Sequence, residues 1–526
     1  MPNTGKPSLD CHLCRQRRVK CDLSRPACQR CIKYGATCPG YRDQQELVFR
    51  NSDPSAVKRR KKRKTGAASD SSKTDDDSKA LVTLPGFIKE RPEPAADSIG
   101  SMILYGHVTE HWTAHSIPLL LDVYSAMDFL KNVYHADSRN GPLLWSAHIF
   151  TRTYIMNVKN PTHVDNSVYG KTQRELCMYM GKTLRAINRA LSTPDGAKRD
   201  DILATVWILA NYEVLAGTLG RHQPVNTWQL HAKGIYSILK ARGSESLYTS
   251  VGRTAFWPAF NTVQLQALIV NTSCPAETEE WLGICDKNLF EGEELTLRIA
   301  EYIARICHVQ AGIMKHLRTG DFRGASDNYM QLRQQLLEAE FAYERYLQTK
   351  SPLSTSHADV TIDVYMQNIQ CAAVIKSNHL MQMLCNMLTH YAPCPVPLQD
   401  LLVHRRYALQ RIWESSRVII DNLPMAMEPL SRTTVLQSPQ VLFDAMKLVF
   451  PLFLVAHMPT TLQEHKDIAM LALQYIGKEV GIKQALARDG PKMPLPEEAR
   501  APLVMDQMAE PPWVSVAPRE YTLLGF

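Results

Sequence analysis

The feature that most constrains this chain is a run of six cysteines near its start, CHLCRQRRVKCDLSRPACQRCIKYGATC. Two residues separate Cys11 from Cys14 and six separate Cys14 from Cys21; after six more, Cys28, Cys31 and Cys38 repeat the same intervals. The stretch is therefore two copies of one eleven-residue unit. Cys-x2-Cys lets two thiolates from one tight turn reach a single ion at about 2.3 Å, and zinc takes four such ligands in a tetrahedron. One ion leaves two sulfurs over. Two ions need eight metal–sulfur bonds from six sulfurs, so two cysteines must bridge, and the symmetric candidates are the first of each unit, Cys11 and Cys28. Cys14 and Cys21 then complete one ion's set, and Cys31 and Cys38 the other's. Two rival readings fit less well: a disulfide scaffold requires secretion, and an iron–sulfur site normally uses four thiolates per cluster.

Two Zn²⁺ and six thiolates sum to a charge of −2, which the neighbouring Arg15, Arg17, Arg18 and Lys20 can offset. Each Cys-x2-Cys should open a short helix, over about residues 13–18 and 29–34, with Pro26 bending the loop between them and Gly35 suited to the end of the second. A unit this small has no core, and zinc binding, worth on the order of 10 kcal/mol in structural sites, supplies its folding energy.

The six cysteines, the run Arg15-x-Arg17-Arg18-x-Lys20 and the loop Pro26 together resemble the Zn₂Cys₆ binuclear cluster domain of fungal transcription regulators, over roughly the first fifty residues. Arg18 stands where many relatives have Lys. The resemblance implies a first helix whose C-terminal end approaches the major groove of double-stranded DNA. It implies that Arg17 and Arg18 approach the bases of a GC-rich, CGG-type triplet, whose guanine O6 and N7 accept from cations, while Arg15 and Lys20 hold phosphates. Each of the four could equally only neutralise phosphate, since half or more of such contacts go to the backbone.

At 526 residues and 45% hydrophobic content the chain is long enough for two or more domains, so the cysteine unit must be an appendage to a larger body. The leading MPNTGKPSLD is polar and does not read as a signal peptide, which places the protein where thiols stay reduced. Seven further cysteines lack metal spacing and read as buried apolar residues. The net charge of +8 is uneven: residues 1–64 carry 17 Lys+Arg against 5 Asp+Glu, leaving −4 for the rest. A local cationic end on a near-neutral body is the footprint of contact with phosphate. Seven consecutive cations, Lys58, Arg59, Arg60, Lys61, Lys62, Arg63 and Lys64, read as a nuclear import signal, an arm on the DNA backbone, or both. Residues 41–64 show no apolar heptad and contain Pro54, so dimerisation through a coiled coil there is not expected; the chain binds as a monomer or pairs as a homodimer through its larger domain.

These features divide the chain into a zinc cluster domain at 1–50, a basic run and flexible linker at 51–100, a body at 101–488, and a proline-rich tail at 489–526. The body shows helical periodicity, with Leu176, Met180, Leu184, Ile187 and Leu191 forming one apolar stripe, and no convincing strand; DDILATVWILANYE reads as a central buried helix. The expected fold class is thus a small zinc binuclear cluster, two short helices around two Zn²⁺, followed by a large all-α domain. DDILATVWILANYE followed by Trp228-x2-His231-x2-Gly234 looks like the fungal-specific regulatory domain that follows many such clusters. Those three residues read as packing elements: an aromatic anchor, a core imidazole, and a glycine allowing close helix approach. Asn226 and Gly243 are expected to cap one helix. His107, His111 and His115 fall four apart, a spacing that can bind metal but reads better as an amphipathic helix edge. Met366, Met381, Met383 and Met387 read as core filler or the lining of an adaptable pocket. In the tail, acids mix with Trp513, Tyr521 and Phe526; this is either a coactivator-binding segment or one that packs on the body.

No Gly-rich phosphate loop, nucleophile elbow or HExxH occurs, so an enzyme is not expected. The reading is a nuclear, sequence-specific DNA-binding regulator of RNA polymerase II transcription, with the transcription machinery as a further partner and no membrane. Its alternatives are a zinc-dependent interaction protein and a chromatin-directed enzyme.

Overall fold

A computed structural model describes residues 11–39 except 18, 25 and 26, and residues 111–500 except 126, 135–140, 160–165, 218–226, 350–356, 432–439 and 488–494. The basic run, the linker and the end of the tail lie outside these residues, as do His107, Asn226 and Pro26. The chain divides into two units, Met1–Ala80 and Leu81–Phe526.

In the first unit, α1 (His12–Gln16) and α2 (Gln29–Lys33) each begin directly after the first cysteine of a repeat. Both are shorter than the spacing suggested. The backbone leaves the helix early because an amide reaches back five residues to close each turn: Val19 N donates to the Cys14 carbonyl at 3.0 Å, and Ala36 N to the Cys31 carbonyl at 3.1 Å. In the second repeat Gly35, at φ +77°, provides the left-handed residue that such a closure needs.

The second unit is helical, with no strand among its described residues. Its first half comprises α3 (Ser116–Val123), α4 (Asp128–Val133), α5 (Pro142–Lys159), α6 (Asn166–Leu191), α7 (Asp200–Ala216), α8 (Thr227–Arg242) and α9 (Ser250–Val270). There follow α10 (Thr278–Lys287), α11 (Glu294–Thr319), α12 (Phe322–Thr349), α13 (His357–Thr389) and α14 (Leu398–Asp421). The last group is α15 (Leu423–Ser431), α16 (Gln440–His457), α17 (Gln463–Tyr475) and the short α18 (Glu497–Arg500). None of the described helices is long and apolar enough to cross a membrane.

Two buried apolar clusters meet at α13, which gives Cys371, Ala372 and Ile375 to one and Ala373, Val374 and Leu380 to the other. Every residue from Cys371 to Leu388 is buried. The expected central helix, α7, is also buried, continuously from Ile202 to Ala210, but α13 is the longer shared wall. A helix covered on all sides must satisfy its polar side chains internally. Lys376 donates to the carbonyls of Leu268 and Ile269 at the C-terminal end of α9, and burial pulls its amine down to about 7. Asn378 donates to Glu340 of α12 at 2.9 Å, and Asn386 to the Ala499 carbonyl of α18 at 3.2 Å. The polar residues of α13 thus tie it to its neighbours.

The packing roles expected of the Trp228 motif hold in part. Trp228 is buried in the core, and His231 Nε2 lies 3.4 Å from the Glu213 carboxylate. Gly234 is not required for close approach, since a Cβ there would meet Val206 at an ordinary 3.6 Å. A tighter glycine is Gly217, which ends α7 at φ +67° and where a Cβ would lie 2.8 Å from the Lys483 backbone. Gly243 closes α8 at φ +71°, as its position suggested. His111 and His115 do not share an α-helical face: His111 caps the 3₁₀ turn Trp112–His115, accepting from Thr113 N, because α3 begins only at Ser116. Met366, Met381, Met383 and Met387 are buried core residues. Among the seven other cysteines Cys177 is exposed and Cys274 and Cys394 are half-buried, against the expectation of burial for all.

A buried ion pair fixes α9 against α10 and α11. The fully buried Arg253 donates to Glu293 at 2.6 Å and to the Leu247 carbonyl at 2.6 Å, while Trp257 Nε1 donates to the other Glu293 oxygen at 2.9 Å. Removing one partner of such a pair leaves the other charge buried and uncompensated. Glu293→Ala, which leaves the fully buried Arg253 guanidinium without its carboxylate, is therefore expected to destabilise the chain by about 3–5 kcal/mol, read as a lowered midpoint of urea unfolding; an unchanged midpoint would show that water replaces the pair at no cost.

Candidate metal centre and nucleic-acid interface

The six cysteines converge. Two groups of four sulfurs each lie within 4.8 Å of one another: Cys11, Cys14, Cys21 and Cys28, and Cys11, Cys28, Cys31 and Cys38. The two members common to both groups are Cys11 and Cys28, the pair expected to bridge. Four sulfurs about 2.3 Å from one centre stand about 3.8 Å apart in a tetrahedron. The Sγ separations of Cys11–Cys28, Cys11–Cys31 and Cys14–Cys28 are each 3.6 Å. The donor set therefore fits two zinc ions, and Cys21 and Cys38 are the terminal ligands that the loops return.

Each bridging sulfur is oriented by its own turn. Cys14 N donates to Cys11 Sγ at 3.4 Å, and Cys31 N to Cys28 Sγ at 3.3 Å, so the same amide–sulfur bond occurs in both repeats. Burial, followed by hydrogen bonds from neighbouring thiols, pushes the Cys14 thiol up to about 12, and burial likewise raises Cys28 and Cys31. Thiols in this setting do not ionise unaided. A pair of dications supplies the charge that holds them as thiolates, so that binding zinc expels protons.

Sequence reasoning gave no role to Asp22, which closes the module. Its carboxylate accepts from the Ser24 hydroxyl and from the backbone amides of Gln29, at 3.0 Å, and Arg30, at 3.4 Å. These bonds, that of Ser24 first, hold its carboxyl at about 2. Asp22 adjoins the last ligand of the first repeat and caps the helix of the second, coupling the two halves outside the sulfurs. Leu23, at φ +62°, bends the chain between Asp22 and Ser24. The available signal was an acidic residue followed by Ser ahead of a helix start, a capping pattern at unusual range.

The cationic run is only partly displayed. Lys20 is exposed. Arg17 is half-buried, its guanidinium 3.2 Å from the ring centroid of Tyr34, a cation–π contact that joins the first repeat to the end of the second. Arg15 lies in α1; Arg18 and the run from Lys58 to Lys64 fall outside the described residues.

Residues 10–47 match the fungal Zn(2)-Cys(6) binuclear cluster domain. The chain is 23% identical over 287 residues, 54% of its length, to a phomenoic acid biosynthesis cluster-specific transcriptional regulator of Leptosphaeria maculans, covering 50% of that protein. It is 27% identical over 149 residues to an uncharacterized protein of Emericella nidulans, 28% of this chain and 29% of that one. Over 41 residues, 8% of this chain and 6% of the relative, it is 44% identical to oleate activated transcription factor 3 of Kluyveromyces lactis. The matches thus span half or less of each relative's length. No solved structure matches.

Two outcomes test the centre. Asp22→Ala is expected to weaken zinc binding by about 10-fold or more, the usual effect of losing a group that orients a ligand set; competition with a chromophoric chelator measures it, and an affinity equal to the parent's would remove Asp22 from the site. Because several thiols must each lose a proton, the apparent zinc affinity should fall by more than about tenfold per unit as pH is lowered from 7 to 5. A flat profile would mean that the sulfurs are not the ligands.

The shared sulfurs, their spacing and the match over the same stretch identify residues 10–47 as a fungal Zn(2)-Cys(6) binuclear cluster domain that binds two zinc ions.

Proposed function

We propose that the chain is a nuclear regulator of RNA polymerase II transcription that reads CGG-type triplets through its zinc cluster and controls a metabolic gene set. The observation that carries this reading is the pair of sulfur tetrads sharing Cys11 and Cys28. It makes a rigid scaffold from which Lys20 projects. The concentration of positive charge in residues 1–64 supports a polyanionic partner. Arg15 and Lys20 hold phosphates; Arg17 and Arg18 approach bases, Arg17 doing so from its stack on Tyr34. Lys58 to Lys64 serve nuclear import and backbone affinity. The printed name of the Leptosphaeria relative, a cluster-specific regulator, supports a secondary-metabolite gene cluster as the target. The helical body carries regulation; because residues 41–64 offer no heptad for a coiled coil, the chain binds DNA as a monomer or pairs as a homodimer through that body.

Selection from random duplexes followed by mobility shift tests the reading. Arg18→Ala should cost about 1–3 kcal/mol on the selected site and little on random DNA. Lys20→Ala should weaken both alike and lower the salt slope by about 1. Equal losses for both variants on both DNAs would overturn the division between base and phosphate contacts, and failure to select any sequence would favour a zinc-dependent interaction protein.

A further inference from the structure

In the helical body, between α7, α8, α9, α13 and α16, lies a partly open cavity of about 170 Å³. Its wall is largely apolar and includes the aromatic side chains of Trp207, Trp228, Tyr365, Phe443, Phe450 and Phe453. Pro258, inside α9, also lines it, at a point where the helix lacks one backbone donor. A cavity of about 150 Å³ suffices to hold benzene.

The polar groups on the wall narrow the chemistry. Lys447 is paired with Asp444 at 3.1 Å, and its ammonium lies 4.2 Å from the Phe443 ring and 5.4 Å from that of Tyr365. Its charge is therefore answered within the protein, and an ionic ligand would have to displace Asp444. The Asn211 amide donates to the Trp207 carbonyl one turn back, at 2.9 Å, and the Thr262 hydroxyl to the Pro258 carbonyl at 2.9 Å. Asn261 differs: its half-buried amide lines the cavity and makes no hydrogen bond to any described residue. An aromatic chamber with one uncommitted amide suits an uncharged ring that brings its own polar substituent.

We propose that this cavity binds a small neutral single-ring aromatic molecule bearing a hydroxyl or carbonyl group, the ring held by the aromatic wall and the substituent by Asn261. The site lies in the body, so the proposal goes beyond DNA reading and does not depend on it.

Ligand-observed NMR titration of the zinc-loaded full chain with phenol, toluene and benzoate tests it. Phenol should bind saturably with a Kd on the order of 1 mM, as suits so few atoms, and benzoate at least about tenfold more weakly, because its charge would be desolvated. Ala210→Phe, which places a ring in the cavity, should reduce phenol binding more than about tenfold by filling the space a ring needs. Asn261→Leu should weaken phenol about tenfold and leave toluene unchanged. If Ala210→Phe fails to fold, the Asn261→Leu comparison decides alone. Absence of saturable phenol binding, benzoate binding tighter than phenol, or an unaltered phenol-to-toluene ratio in Asn261→Leu would each overturn the proposal.

Discussion

The zinc module depends on the sharing of two sulfurs. Thirty residues with two five-residue helices bury almost no apolar surface beyond the cysteines themselves, with Leu13 and Val19 only packed at the edge. Order must come from bonds stronger than packing. Because Cys11 and Cys28 belong to both tetrads, neither half can hold its ion without the other. Asp22 and the Arg17–Tyr34 stack act in the same sense, each spanning the two repeats. The two halves of the motif are thereby one cooperative unit.

The charge on this module is better read as a positioned set than as a cloud. A guanidinium laid on an aromatic face loses part of its rotamer freedom before any partner arrives, so less is left to lose on binding. Lys20, by contrast, stands in solvent, where a flexible ammonium suits a phosphate, which demands charge more than geometry.

The body is stabilised by opposite means. Two apolar clusters joined along α13 supply the driving force, and the polar residues carried by that helix are spent on inter-helix bonds: Lys376 on the end of α9, Asn378 on Glu340, Asn386 on the carbonyl of Ala499. Such groups specify which helices meet, since a wrong neighbour would leave them unsatisfied. Arg253 does the same for α9, α10 and α11, through the Cys285 carbonyl and Glu293. The cavity lined by Trp207 and Asn261 is a place where the helices leave space between them rather than close on one another.

The metal centre was legible in the sequence because ligand chemistry is local: Cys-x2-Cys reaches one ion whatever follows, and counting bonds names Cys11 and Cys28 as the bridges. Helicity of the body was legible for the same reason, periodicity being a property of neighbouring residues. Asp22 escaped notice because its partners lie seven and eight residues ahead, and Arg17 because its ring partner is on the other repeat. Trp228 read only as an anchor, and the space beside it arises from five helices that the sequence does not bring together on paper. What the chain's order of residues determined by itself was the zinc ligands, the two bridging sulfurs and an all-helical body. The tertiary structure alone decided which distant groups meet, since a contact between residues far apart along the chain depends on the packing of every element between them.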